Sequence, residues 1–241
     1  MAIEWVLLGV FIWIAFTSEA ITGFGSIVIA VALGSMLFPI PELIPILVPL
    51  SVVMTSTLIL KFYRDINFHL LLRRILPFIA VGMVVGIVLL EVLSADSLKV
   101  IFAVLIVWFA GRELYKIHRG LAIKSKPAWW QPVWTFFAGV THGLFASGGP
   151  LLVYSLNSQN IPKAQFRATL VSVWFGLNVV YACVMLVQGK IQPVLPQIAS
   201  YLPVIALSFW VGHSLHKRVS ETQFKKLVYW LLLISAVAMF F

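Results

Sequence analysis

The fold class that this sequence predicts is an all-α integral membrane protein made of two inverted repeats, and three observations predict it. The 241 residues are 61% hydrophobic and only 10% charged, and the mean hydropathy is +1.04. A soluble domain usually carries about 25% charged residues. The apolar runs are interrupted twice by glycine breaks, at Thr22-Gly23-Phe24-Gly25-Ser26 and at Ser147-Gly148-Gly149-Pro150. The glycine, proline and serine punctuation of the second half echoes that of the first.

The chain reads in order as follows. Trp5 to Ile21 is apolar apart from Thr17, Ser18 and Glu19, and leads into the first glycine break. Ile27 to Phe38 follows and ends at Pro39-Ile40-Pro41, since proline punctuates helices. Leu43 to Leu60 is the next run and carries Pro45 and Pro49. A basic loop holds Lys61, Arg64, Arg73 and Arg74 with one acid, Asp65. Ile75 to Leu90 spans next, and the loop after it carries Glu91, Asp96 and Lys99. Val100 to Ala110 continues into a second basic loop with Arg112, Lys116, Arg119, Lys124 and Lys126. Trp129, Trp130 and Trp134 mark re-entry through an interfacial aromatic belt.

Val133 to Phe145 then runs to the second break, and Leu151 to Leu156 follows. Asn160-Ile161-Pro162 stands where the first half has Pro39-Ile40-Pro41. Ala168 to Val187 spans, Gln188-Gly189-Lys190 is a short loop, and Ile198 to Val211 spans again. His213, His216, Lys217, Arg218, Lys225 and Lys226 form a third basic cluster before Leu227 to Phe241.

Over their later parts the halves align at an offset of about 126 residues: Pro77 with Pro203, Gly86 with Gly212, Ser94 with Ser220 and Lys99 with Lys225. Gly25 pairs with Gly149 once a small gap is allowed. Charge sets the relative orientation. The loop from Lys61 to Arg74 is basic and its counterpart near Lys190 is not; the loop from Glu91 to Lys99 is net acidic and its counterpart is basic. Equivalent loops therefore lie on opposite sides, as in an inverted-topology repeat. Inversion needs an odd number of crossings per half, and three full spans follow each break. Each broken segment is thus expected to be a re-entrant helical hairpin, giving about eight hydrophobic segments in all. The expected organisation is a first repeat over 1–120, a second over 127–241, and a basic cytoplasmic linker over 112–126. Nearly all Lys and Arg then face the cytoplasm, and Glu4, Glu42, Glu91 and Asp96 face out. Trp5 to Ile21 is long enough to cross a membrane by itself, because a full span needs roughly 20 residues.

Composition also excludes several classes. The net charge of +9 sits in short loops rather than on one basic face, which argues against a nucleic-acid partner. The single cysteine, Cys183, excludes an intramolecular disulfide and reads as a small buried hydrophobe. Met1-Ala2-Ile3-Glu4 has no basic n-region and does not look like a cleaved signal peptide. No HExxH, P-loop or paired-carboxylate pattern supports an enzyme, and no cofactor or metal site is expected. His213 and His216, three apart on a helix end, lack further ligands. Active transport must then be secondary or depend on a partner.

The breaks themselves are the candidate site. Glycine frees the backbone for a sharp change of direction, Ser147 can cap the following helix and Pro150 can start it. A helix N-terminus facing a membrane interior suits an anion. Candidate binding residues are Thr22, Gly23, Phe24, Gly25 and Ser26 from the first break, and Ser147, Gly148, Gly149 and Pro150 from the second. The glycines can instead serve close packing, and the hydroxyls can bond back to their own helices. Glu19, an ionisable residue in an apolar run, is a proton-coupling candidate by default or else a snorkelling residue. His142, near the equivalent place in the second half, is a second candidate. Asn178 and Tyr181 line a path or bridge helices.

At these breaks the sequence resembles the TauE/SafE family of sulfite and organosulfonate exporters. The residues that carry the resemblance are Gly143-Leu144-Phe145-Ala146-Ser147-Gly148-Gly149-Pro150-Leu151-Leu152-Val153, then Ile161-Pro162-Lys163 and Arg167-Ala168-Thr169, with the looser Gly23-Phe24-Gly25-Ser26-Ile27-Val28 in the first half. Ser147 stands where a further glycine is usual, and Pro49 takes roughly the place that Thr169 has in the second half. The resemblance implies a multi-pass inner-membrane secondary transporter for small sulfur anions such as sulfite, sulfoacetate or another organosulfonate. It implies export by alternating access, with protons as the coupling ion. It adds Thr169 to the candidate binding residues, and Arg167 either as substrate ligand or as cytoplasmic topology signal. An anion channel of the same fold, and a membrane-embedded enzyme or assembly subunit, are the alternatives. Exposed aromatic faces allow a homodimer without requiring one.

Overall fold

The structure is a computed structural model that describes residues 2–119, 127, 129–156, 161–215, 226, 229, 230, 232, 233, 236 and 237. Among these there are helices and turns and no strands. Nine α-helices are delimited in chain order: α1 (Ala2–Thr22), α2 (Ser26–Gly34), α3 (Ile40–Phe62), α4 (Leu76–Val92), α5 (Ala95–Arg119), α6 (Trp130–Phe145), α7 (Gly149–Leu156), α8 (Lys163–Val187) and α9 (Leu195–Leu215). A π-helical turn, Leu70–Ile75, leads into α4. Among the described residues, five stretches are long and apolar enough to cross a membrane: Ile3–Thr22, Ile40–Asp65, Leu70–Val92, Ala164–Val187 and Gln192–Gly212.

Both glycine breaks are sharp reversals. α2 folds back along α1, which brings Gly34 against Leu8 and Trp5 against Phe38 with ring centroids 4.5 Å apart. α7 folds back along α6, so that the Thr135 and Ser155 hydroxyls lie 3.1 Å apart. Prolines start the helices that follow: Pro39 caps α3 and Pro162 caps α8.

The helices pack in an exchanged pattern. α4 lies along α6, α1 lies along α9, and α3 and α8 pack against each other in the centre. Small residues allow the first two pairs to approach closely. A Cβ on Gly86 would run into the Val140 carbonyl oxygen of α6, and one on Gly212 would run into Ala20 of α1. Each of these glycines lets its helix touch a neighbouring helix closely. Polar side chains tie the α1–α9 pair as well: the Tyr201 hydroxyl donates to the Trp5 carbonyl at 2.7 Å, and Ser208 Oγ donates to the Trp13 carbonyl at 3.3 Å.

α1 is as long as a full span, as its apolar run suggests, and forms the first limb of a hairpin. Two features differ from the sequence reading. α5 runs well past Ala110, to Arg119, and its later charges gather at one end: Arg112 and Lys116 pair with Glu113, and Arg112 lies 3.9 Å above the Tyr154 ring. Cys183 is exposed on α8 rather than buried, because apolar residues cover every side of that helix and give no inward face. The side chain of His213, residues His216 to Lys225 with Ser220, Asn160, linker residues 120–126 and most of Leu227 to Phe241 lie outside the described residues.

Candidate functional site

The two reversals meet at one place. In the first, Gly23 (φ 84°) and Gly25 (φ 96°) take left-handed backbone that glycine adopts freely. α2 then starts at Ser26 with Gly25 as its N-cap. In the second, Ala146 holds the left-handed position (φ 51°) at the end of α6. Gly148 lets the backbone settle against the Ala138 carbonyl, where a side chain would collide, and α7 starts at Gly149. The N-terminal ends of α2 and α7 thus face the same small volume.

That volume is a cavity of about 20 Å³, with room for about one water molecule. Gly25, Ser26, Ile27 and Val28 line it from the first tip, and Ala146, Ser147, Gly148 and Gly149 from the second. Glu19 of α1, Ser51 of α3, and Trp174 and Asn178 of α8 complete the wall. Ser51 and Trp174 stand near the middle of α3 and α8, so the cavity lies about halfway along the two central helices.

Polar groups without protein partners concentrate here. Glu19 is only 2% exposed; it shares the cavity wall with Ser26, and its Oε2 has no partner. His142 does not line the cavity; it is wholly buried, stacks on the lining residue Trp174 with ring centroids 5.8 Å apart, and has no partner on either ring nitrogen. Trp174 Nε1 and Asn178 Oδ1 are likewise unpartnered, while Asn178 Nδ2 donates to Ser51 Oγ at 3.0 Å. Buried polar atoms are nearly always satisfied, so such a concentration calls for water or a ligand. Glu19 precedes Gly23 by four residues and His142 precedes Ala146 by four. The two ionisable groups therefore occupy matching places on the two hairpins.

The other sequence candidates fall around this centre. Thr22 Oγ1 donates to the Ser18 carbonyl at 2.8 Å and lies 2.9 Å from the Phe24 carbonyl, so it serves its own turn. Phe24 is the nearest neighbour of the place where a Cβ on Gly149 would sit, at 3.7 Å. Pro150 faces two apolar cavities beside the tips. Arg167 and Thr169 do not line the polar cavity. The Arg167 guanidinium donates to the Ala20 carbonyl at 2.8 Å, its stem presses on Gly23, and it lies 4.6 Å above the Phe62 ring. It closes the carbonyl end of α1, where a cation is favoured. Thr169 Oγ1 accepts from the Asn67 N–H at 3.1 Å and anchors the loop after α3. Tyr181 donates to the Gly143 carbonyl at 2.6 Å, bridging α8 to α6.

Sequence reasoning missed Ser51, Trp174 and Ala146. Trp174 carried a signal: it is a tryptophan in mid-span, away from the interfaces where tryptophan concentrates. Ser51 and Ala146 carried none that sets them apart from other small residues.

The protein family described as sulfite exporter TauE/SafE matches residues 7–239 of this chain. No curated protein and no solved structure matches it.

Proposed function

The chain belongs to the sulfite exporter TauE/SafE family, a family of membrane transporters and not of enzymes, and from that premise we propose that it is a secondary transporter that exports small sulfur-containing anions across the inner membrane. The observation that carries this reading is the meeting of two helix N-termini at one polar cavity. A sulfite or sulfonate head must shed its water on reaching this depth, and buried polar groups without partners are costly. Backbone N–H groups at Ser26 and Gly149, with the Ser51 and Ser147 hydroxyls and the Trp174 N–H, replace those hydrogen bonds without adding a full charge.

The exchanged packing supports two inverted repeats, 1–120 and 127–241 joined by the basic linker over 112–126. α1 stands to α9 as α6 stands to α4, with Gly212 and Gly86 at the matching contacts. Each hairpin then enters from its own side and returns there, and the halves rock about the central α3–α8 contact to open the cavity alternately. The cavity has room for about one water, so the tips part when the anion enters.

Glu19 couples the cycle to protons. A carboxylate and an oxyanion about 4 Å apart repel by about 4 kcal/mol at an effective dielectric constant of 20. The anion is therefore held when Glu19 carries a proton, and proton movement at Glu19 biases the direction of the cycle. His142, in the matching place on the other hairpin, takes the proton on its passage.

The test is binding of sulfite, thiosulfate, sulfoacetate, taurine, sulfate and short carboxylates to the purified protein, and to Gly149→Leu. The Leu side chain starts from a Cβ 3.7 Å from Phe24 and 3.8 Å from Trp174 and fills the cavity. Selective binding of a sulfur oxyanion, lost in a folded Gly149→Leu, is the expected result. Unchanged binding in that variant would sink the paired-tip site.

A further inference from the structure

One end of the bundle gathers charge and aromatic rings around Tyr154, in the last turn of α7. The Tyr154 ring stands edge-on to Trp108 of α5 and to Trp130 and Trp134 of α6, with centroids 5.6, 5.0 and 4.8 Å away. Arg112 covers one face of that ring, and Lys116 lies 6.0 Å from its centroid. Both cations share the single carboxylate of Glu113, so the three side chains carry a net positive charge, and each cation keeps 24% of its side chain exposed. The patch adjoins the start of α4, where Gln131 Nε2 donates to the Arg74 carbonyl at 3.3 Å and exposed Arg73 and Arg74 add positive charge. Away from this end the surface turns apolar. Trp108 and Trp134 stack with centroids 6.0 Å apart, and about one turn beyond them α5 exposes Val104 and α6 exposes Phe137. Cations, then tryptophan rings, then bare carbon is the order of chemistry from head group to acyl chain in a bilayer leaflet.

We propose that this patch binds an anionic phospholipid, with its phosphate on Arg112 and Lys116, its glycerol at Trp108 and Trp134, and one acyl chain along Val104 and Phe137. A choline or ethanolamine head brings an ammonium group to a site that is already positive, and is disfavoured. A free phosphate ion meets only two cations that already share a carboxylate, and leaves the carbon surface uncovered. The lipid touches α5 and α6 at once and covers Tyr154, so it ties down the outer end of α7. The other end of this eight-residue helix is the Gly149 tip at the polar cavity. The second hairpin is thereby steadied from the membrane.

The experiment is native mass spectrometry of the full chain released from mixed micelles that hold phosphatidylglycerol and phosphatidylcholine with the same acyl chains. One net positive charge near a membrane surface favours an anionic lipid by about fivefold, and that is the expected ratio of retained phosphatidylglycerol to phosphatidylcholine. Glu113→Gln frees the second cation and should raise the ratio about fivefold further, whereas Arg112→Gln should bring it to about one. Lys190→Gln, beyond the far end of α4 where Gln188 Nε2 donates to Glu91, should leave it unchanged. Equal retention of the two lipids overturns the inference, as does a preference that survives Arg112→Gln, falls in Glu113→Gln or is lost in Lys190→Gln. Glycerol phosphate or inorganic phosphate that displaces phosphatidylglycerol at millimolar concentration also overturns it, because the cations would then bind a free phosphate group and not a lipid. If the arginine variant does not fold, the direction of change in Glu113→Gln decides by itself.

Discussion

Replacing Glu19 by glutamine separates charge from shape at the centre of the site. The carboxyl group is 2% exposed, shares a cavity of about one water with the two helix tips, and has one oxygen without a partner. Glutamine keeps the size and removes the titratable charge. At about 4 Å and an effective dielectric constant of 20, the repulsion between carboxylate and bound anion is about 4 kcal/mol, or on the order of a thousandfold in affinity at about 1.4 kcal/mol per tenfold. Proton and anion then raise each other's affinity by the same factor. In the native chain anion binding should tighten as pH falls, about tenfold per unit while Glu19 is the group taking up the proton, up to about a thousandfold. In Glu19→Gln the affinity should be flat with pH and equal to the native value at the acidic end. The measurement is methanesulfonate binding by calorimetry over a pH series, because a sulfonate stays ionised throughout while sulfite takes up a proton of its own near neutral pH, in buffers of different protonation enthalpy so that proton uptake is read directly. A variant whose affinity still changes tenfold per unit, or that takes up one proton on binding, refutes the assignment to Glu19.

Three further outcomes follow from the packing. Gly86→Ala forces a Cβ against the Val140 carbonyl and should lower stability by about 1–3 kcal/mol, whereas Gly111→Ala, where a Cβ meets nothing within 4 Å, should be neutral or gain up to about 1 kcal/mol; thermal unfolding in detergent compares them. Arg167→Met leaves the Ala20 carbonyl without its donor and should cost about 1–3 kcal/mol by the same assay, with sulfite affinity falling less than in Gly149→Leu because Arg167 lies outside the cavity. Ala146→Gly relieves the left-handed backbone at the second tip (φ 51°), and should raise the unfolding free energy by about 0.5–1 kcal/mol, since an L-residue there costs about 1–2 kcal/mol and glycine gives part of that back in chain entropy.

Much of the architecture was legible because glycine and proline act locally. A reversal needs left-handed backbone, and Gly23 and Gly25 announce it; helices that touch backbone to backbone need a missing side chain, and Gly86 and Gly212 announce that. Glu19 stood out because a carboxyl group among apolar residues has no bland place to go. What stayed hidden concerns direction around a helix. α3 and α8 are apolar on all sides, so nothing in their pattern told that Ser51 and Trp174 look inward while Cys183 looks outward. Arg167 was visible as a charge, but its partner is a backbone carbonyl of α1, far away in sequence, and carbonyls have no sequence signature. Ala146 takes a conformation usually given to glycine, so its residue type concealed its role.

The exchanged packing also sets a schedule for synthesis. α1 is made well before its companion α9: Tyr201 and Trp5, which hydrogen-bond across that contact, are separated by 196 positions. At about 5–20 residues per second, the first hairpin waits roughly 10–40 s in the bilayer before α9 covers the face of α1 that carries Trp5, Trp13 and Ala20. The second hairpin has no such delay, because α4 is already in place when α6 emerges. A ribosome stalled before α9 should therefore leave a nascent chain open to proteases and quality-control factors at its N-terminal end, and one half expressed alone should survive only by finding the other half, or a second copy of itself, to stand in.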